Sequence, residues 1–237
     1  MGAIDQSDQY KILVKFASRS RPHKFFKCLD NIYEKAARQE CIYLLVSLDS
    51  DDYSMYNNEV INKLKYQLNK WQGRMVVKFG LSKSKVDAIN RDVNDFSEHW
   101  DILVNFSDDM VFTHAGWDEI IRRKFKQIYP DTNGNIFFND GFVGDKVSTM
   151  SIIGRVWYDG NGKHIYHPSY KSLWCDNEYT ELARSQNKMA YFDEIIYKHM
   201  HPLNAGGEID EQLQKSESYY EEDYQNYLER RKHGFYN

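Results

Sequence analysis

Short apolar runs alternate with amphipathic helical stretches through the first half of this chain, and that alternation restricts the fold more than any other feature. Tyr10 to Ala17 (YKILVKFA) alternates in polarity and closes on small residues, the pattern of a strand feeding a loop. Pro22 suits the first turn of a helix, where a missing N–H costs nothing. A helix from Pro22 to Gln39 would bury Phe25, Phe26, Leu29, Ile32 and Tyr33. Cys41 to Leu48 (CIYLLVSL) is almost continuously apolar, as in a strand covered on both faces. Val60, Ile61, Leu64, Leu68 and Trp71 recur at helical spacing, and Arg74 to Phe79 (RMVVKF) reads as a third strand. A short helix over Lys85 to Phe96 leads to a fourth strand at Ile102 to Phe106. Such alternation predicts a parallel sheet with helices on both sides.

Beyond Asp109 the alternation fades. Trp117, Ile120, Ile121, Phe125 and Ile128 mark an amphipathic helix that stops before Pro130 and the turn-rich Asp131-Thr132-Asn133-Gly134. Ile136 to Tyr158 reads as strand-rich, and Asp159-Gly160-Asn161-Gly162 is a hairpin-turn signal. A helix over Asp176 to Asn187 and a strand over Tyr191 to Met200 follow. The tail from Glu208 is charged and rich in tyrosine; Tyr220, Tyr224, Tyr227 and Leu228 share a helical face there. That face is available to the body of the chain or to a second subunit, so a homodimer through the tail is one expectation. No repeat, low-complexity segment or linker divides the chain. The expected organisation is a flexible start over 1–9, a domain over 10–207 and a helical tail over 208–237.

Composition narrows the function classes. A chain of 237 residues can bury a full core. Its net charge of -4 argues against a general polyanion binder, because non-specific nucleic-acid affinity rests on cation-rich surfaces. Cys28, Cys41 and Cys175 are odd in number and in no metal-ligand spacing, so they read as reduced thiols. No apolar stretch approaches the length of a membrane span, and Met1 to Gln9 lacks the pattern of a signal peptide. A cytoplasmic protein is the expectation.

Ligands of parallel α/β sheets bind at the carboxyl ends of the strands, and there the chemistry concentrates. The first strand runs into Ser18-Arg19-Ser20-Arg21, the second into Asp49-Ser50-Asp51-Asp52, and the fourth into Asp108-Asp109. Adjacent carboxylates repel each other unless a cation, a proton or an arginine neutralises them. No GxGxxG or GxxxxGK[ST] stands at any of these ends, which disfavours a dinucleotide-binding dehydrogenase and a P-loop NTPase.

Taken in order, these motifs resemble the GT-A fold of family-2-type glycosyltransferases from roughly Tyr10 to His201. Phe16-Ala17-Ser18-Arg19-Ser20-Arg21-Pro22 is similar to the family's opening donor loop, and Leu48-Asp49-Ser50-Asp51-Asp52 to the acidic end of its second strand. Lys85-Val86-Asp87-Ala88-Ile89-Asn90-Arg91 resembles its Ala-x-Asn segment. Asn105-Phe106-Ser107-Asp108-Asp109-Met110 falls where the family has Asp-x-Asp, with Ser107 in place of the first Asp. The resemblance implies an α/β, Rossmann-like, mixed and mostly parallel sheet flanked by helices, with a C-terminal helical extension. Residues 10–110 would form the nucleotide-sugar-binding half and 111–207 the acceptor-binding half.

The implied activity is metal-dependent transfer of a sugar from a nucleoside-diphosphate sugar, with a UDP-sugar favoured and inversion expected. Ser18, Arg19, Arg21, Asp49, Asp51, Lys85, Asn90 and Asp108 are the implied donor contacts. Asp109 and a late histidine would hold Mn2+ or Mg2+; His199 and His201 lie two apart, and His201, just before Pro202, is the choice. Trp174-Cys175-Asp176-Asn177-Glu178 is similar to the family's late acidic motif, which makes Asp176 the candidate base and Glu178 the second candidate. His167 and Tyr170 are further contact candidates. Each residue has a plainer reading: helix capping for Asp176, dipole complement for Glu178 and solvated loop charge for Arg19, Arg21 and Lys85. A nucleotidyltransferase is one alternative, although Ala17 to Pro22 lacks its glycine-rich loop, and a non-catalytic nucleotide-sugar-binding module is another. The acceptor stays open among a glycan, a modified nucleobase, a lipid-linked sugar and a protein.

Overall fold

The computed structural model describes residues 10–202, 206 and 210–235; the expectation for residues 1–9 falls outside them. Four strands are built from the apolar runs of the first half: β1 (Ile12–Ser18), β2 (Ile42–Asp49), β3 (Arg74–Gly80) and β4 (Ile102–Phe106). Between them lie α1 (Pro22–Lys35), α2 (Asn58–Lys70) and the short α3 (Lys85–Asn90). All four strands are parallel, in the spatial order β3-β2-β1-β4. The sheet continues through β7 (Ile152–Gly154), antiparallel to its neighbours, then β6 (Asn135–Phe138) and β8 (Met189–Phe192), giving seven strands among the described residues. A separate two-stranded ribbon pairs β5 (Met110–Phe112) with β9 (Tyr197–His199). The remaining helices are α4 (Trp117–Ile128), α5 (Arg155–Gly160), α6 (Cys175–Ser185), α7 (Glu211–Glu217) and α8 (Tyr220–Lys232).

The period of two along each strand separates two cores. Ile12, Val14 and Phe16 of β1 and Ile102, Val104 and Phe106 of β4 face α1, α2 and α4. Leu13, Leu45 and Leu103 face the opposite layer of α3, α5, α6 and α8. Lys15 breaks the apolar rule on that second face: it is completely buried. The three cysteines are free and buried, and no described helix is long and apolar enough to cross a membrane.

Several elements depart from the sequence reading. Helix α1 stops at Lys35 rather than Gln39, because the buried Asp118 of α4 captures the N–H groups of Ala37 (2.8 Å) and Arg38 (3.1 Å) and draws the chain out of the helix. Helix α3 ends at Asn90, well short of Phe96. The segment from Ile136 to Tyr158 is not continuously strand-rich. Gly154 ends β7 packed so closely on Thr132 that an added Cβ would lie 2.0 Å from its carbonyl oxygen. The chain then turns into α5, which buries Trp157 and Tyr158 and carries an Arg155–Asp159 ion pair at helical spacing. Asp159 to Gly162 therefore ends a helix instead of turning a hairpin. Tyr191 to Met200 is not one strand either: β8 joins the main sheet and β9 joins the ribbon.

The tail closes on its own chain. The rings of Tyr220, Tyr224 and Tyr227 surround Trp174 at centroid distances of 5.6, 4.5 and 5.2 Å. Arg230 makes two hydrogen bonds, of 2.7 and 2.9 Å, to the buried Glu178. The aromatic face that sequence alone leaves to either the body or a second subunit is taken up by the body.

Candidate active site

Strand register assembles the site. Ile12 pairs with Ile102 and Phe16 with Phe106, so the same register carried two residues past the sheet sets Ser18 beside Asp108. The Ser18 hydroxyl donates to Asp108 Oδ2 at 2.6 Å. Likewise Ser18 pairs with Leu48, which sets Arg19 beside Asp49, and Arg19 Nη1 donates to Asp49 Oδ2 at 2.8 Å and to Asp51 Oδ1 at 2.6 Å. Arg21 reaches the fourth strand's end, donating from Nη1 to Asp108 Oδ1 at 3.0 Å. Its other nitrogens grip Asp210 bidentately at 2.7 and 2.6 Å, which ties the tail to the first strand's loop.

The two adjacent carboxylates have different partners, and that is how they coexist. Asp108 is neutralised from one side by Arg21; burial nevertheless pushes its carboxyl above the usual range. Asp109 faces the other way, toward His199, whose Nε2 lies 3.3 Å from Oδ2. The Ser107 hydroxyl donates to its other oxygen. Burial raises the Asp109 carboxyl, but the His199 hydrogen bond and charge and the Ser107 bond outweigh it and hold it well below the ordinary value. The β5–β9 ribbon places the histidine there: Met110 is opposite His199, and the Met200 N–H donates to the Asp109 carbonyl at 2.7 Å.

Asp176, the second residue of α6, lines the same cavity as Asp109. The residue that caps this helix is Trp174, in the left-handed region at φ 62°, ψ -10°. An aromatic residue held there costs about 1–3 kcal/mol. Asp176 is no cap; one carboxylate oxygen only accepts from its neighbour's N–H, Asn177, at 2.9 Å. Burial raises its carboxyl, and the Lys85 ammonium opposes that rise.

These side chains line one cavity of roughly 250 Å³ at the carboxyl ends of β1, β2 and β4. Ser18, Arg19, Arg21, Asp49, Lys85, Asp108, Asp109, Asp176 and His201 of the sequence-derived set all face it. Residues of α7 complete its wall, including Gln212 and Lys215, together with Tyr219.

Five candidates stand outside. Glu178 points away, buried against Arg230 and accepting from the Tyr170 hydroxyl at 2.6 Å, so it joins α6 to the tail. Asn90 accepts from the N–H groups of Ile165 and Tyr166 and donates to the Tyr166 carbonyl, pinning a loop rather than lining the cavity. Asp51 is an exposed rim residue held by Arg19. His167 and Tyr170 likewise do not line the cavity.

Several residues of the site escape a sequence reading. His199, not His201, meets Asp109, because β9 ends at His199; the His201 ring lies 5.7 Å from it, centroid to centroid. Arg91 grips the other side of Asp49 at 3.2 Å, the Ser82 hydroxyl at 2.8 Å and the Leu48 carbonyl at 2.9 Å. Behind it, Lys15 donates to Ser47, which donates to Asp92 at 2.6 Å. The only sequence signal for this chain was a lysine at an inward position of an otherwise apolar strand.

A divalent cation is implied by the resemblance, and the residues present fit a shared seat rather than a closed cage. No group of three or more His, Cys, Asp or Glu side chains converges as a metal cluster among the described residues. Asp109 and His199 nevertheless stand 3.3 Å apart, close enough that one cation would be held by both. The Nδ1 atom of His199 is buried with no hydrogen-bond partner among the described residues, so Asp109 is the ring's only polar anchor there. One carboxylate and diphosphate oxygens are hard donors suited to Mn2+ or Mg2+, and one imidazole adds a borderline nitrogen.

A mixed, mostly parallel sheet flanked by helices, with a separate two-stranded ribbon among the described residues, is a GT-A-like fold. Solved structures bear out that fold. The mannosyltransferase PcManGT of Pyrobaculum calidifontis, in complex with GDP-Man and Mn2+, is similar over 81% of this chain with a TM-score of 0.59 and 11% identity. TarS of S. aureus is similar over 81% with a TM-score of 0.61 and 10% identity, and its 1–349 form in complex with UDP over 79%, also at 0.61 and 10%. This chain spans 57%, 37% and 60% of those chains respectively. No protein-family model matches the sequence, and no curated protein matches it.

Proposed function

We propose that this chain is a glycosyltransferase that moves a glycosyl group, hexosyl or pentosyl, from a nucleoside-diphosphate sugar to an acceptor hydroxyl with inversion. The observation that carries the reading is the convergence of Asp109 with His199, Lys85 and Asp176 on one cavity at the strand ends. The solved structures support it in kind: PcManGT is described with GDP-Man and Mn2+, and TarS with UDP.

In this reading Asp49 accepts from base N–H or ribose hydroxyl groups of the donor, since an ionised carboxylate can only accept. Arg19 and Arg91 clamp it from both sides and hold its orientation. Arg21 and Lys85 offer positive charge to the diphosphate. Asp109 and His199 would hold Mn2+ or Mg2+, which when bound supplies Lewis-acid stabilisation of the departing diphosphate. Asp176 takes the acceptor hydroxyl's proton, and its raised carboxyl makes it a stronger base than an ordinary aspartate. Residues 10–110 serve the donor and 111–207 the acceptor, with a UDP-sugar favoured.

The test compares sugar transfer with donor hydrolysis in Asp176→Asn. The expected outcome is a fall of roughly 10²–10⁴-fold in transfer with donor affinity retained. Transfer at the wild-type rate would remove Asp176 as the base.

A further inference from the structure

The loop that delivers Asp176 is shaped by a residue far along the chain. Asp223, on the first turns of α8, is 1% exposed, and its carboxylate accepts from three successive backbone N–H groups. Lys171 donates to Oδ1 at 2.9 Å, and Ser172 and Leu173 both donate to Oδ2 at 2.8 Å. The next residue is the left-handed Trp174, gripped by Tyr220, Tyr224 and Tyr227 of the same tail. Cys175 and Asp176 follow at once. The carbonyl of Lys171 in turn accepts from the Val86 N–H at 3.1 Å, which ties this loop to the start of α3, where Lys85 stands.

A backbone with three consecutive N–H groups turned one way and a bulky residue at positive φ has no local reason to adopt that path. A buried carboxylate that satisfies all three donors supplies one, and removing it would take the partner from one buried and two part-buried N–H groups at once. A second set of contacts, Arg230 with Glu178 and Tyr227 and Arg231 with Glu181, holds α8 on α6 without touching residues 171–173. The polar anchors of the tail on α6 and the carboxylate that holds the loop's N–H groups are thus different groups, although the Tyr227 ring also packs on Trp174.

We propose that Asp223 is a positioning residue for the transfer reaction: through the backbone of Lys171, Ser172 and Leu173 it fixes the Trp174 turn that aims Asp176 at the acceptor. The inference rests on the glycosyltransferase reading above. Asp223 touches neither donor nor acceptor, and its influence is geometric.

The experiment uses the full chain with Asp223→Asn, which keeps the side chain's shape and one accepting oxygen, beside Tyr227→Phe, which removes a tail anchor on Glu181 and leaves the ring on Trp174. Turnover per folded molecule, the ratio of transfer to donor hydrolysis, the donor KM and the exchange of the amides of Lys171 to Leu173 are measured. For Asp223→Asn the expected result is a fall in transfer of roughly 10- to 100-fold, the scale set by a misplacement of about 1 Å. The ratio shifts toward hydrolysis, the three amides exchange faster, and donor KM is unchanged. Tyr227→Phe lowers the melting temperature and leaves the ratio as in wild type. An Asp223→Asn protein with lowered melting temperature but the wild-type ratio overturns the positioning role while leaving the functional reading standing. A wild-type protein that consumes no nucleotide sugar overturns the functional reading, and this inference with it.

Discussion

Lys15 sits where β1 should carry an apolar side chain, and among the described residues its ammonium has only Ser47 as a hydrogen-bond partner, with Asp92 nearby. Burial pushes its amine down to about 7 from the ordinary 10.5, with Asp92 offsetting part of that fall. Between about 7 and 10.5 the unfolded chain binds a proton that the folded chain does not, so stability rises with pH across that window. Below about 7 both states are charged and the full cost of burying the ammonium is present. Lys15→Met removes that cost, since Ser47 keeps its bond to Asp92. Its melting temperature is expected to exceed wild type most at or below neutral pH, with the gap narrowing as pH rises. A gap independent of pH would refute the buried charge. The acidic pair teaches a related lesson. That Asp108 and Asp109 stand together at a strand end is plain from the sequence; their division between Arg21 and His199 is not, because it depends on a ribbon whose strands are more than eighty residues apart. Which histidine meets Asp109 is hidden for the same reason: the strand's end decides it, and local spacing does not show that end.

Among the elements, α4 bears weight that its sequence only half reveals. Its apolar stripe is legible, but Asp118 and Arg122 form a buried ion pair of 2.7 Å that also takes the Ala37 and Arg38 N–H groups and the Tyr10 carbonyl. Asp118→Ala leaves Arg122 uncompensated and is expected to cost about 3–5 kcal/mol in urea unfolding, with donor binding unchanged in the folded fraction. A loss below about 1 kcal/mol would mean that water or rearrangement satisfies the arginine. Elements of the first half were legible because each covers a strand on both faces and repeats one pattern. The second half was less so, because α5 and β7 are too short to show a period, and β8 and β9 share one apolar stretch that the fold splits between two sheets.

Across the whole molecule, the parallel half brings the strand-end loops together by register, while distant segments finish the cavity. The ribbon supplies His199, α6 supplies Asp176, and the tail supplies the wall of α7 and the support of α8. The tail's amphipathic face could be read from its tyrosines; that Trp174 fills it could not. The most direct measurement is turnover of a panel of nucleoside-diphosphate sugars by wild type and Asp109→Asn, with and without Mn2+. Wild type is expected to release a nucleoside diphosphate from at least one donor, faster with Mn2+, and Asp109→Asn to lose this cation-dependent release while staying folded. Pyrophosphate as the product, or cation-dependent release at the wild-type rate from Asp109→Asn, would contradict the proposed function.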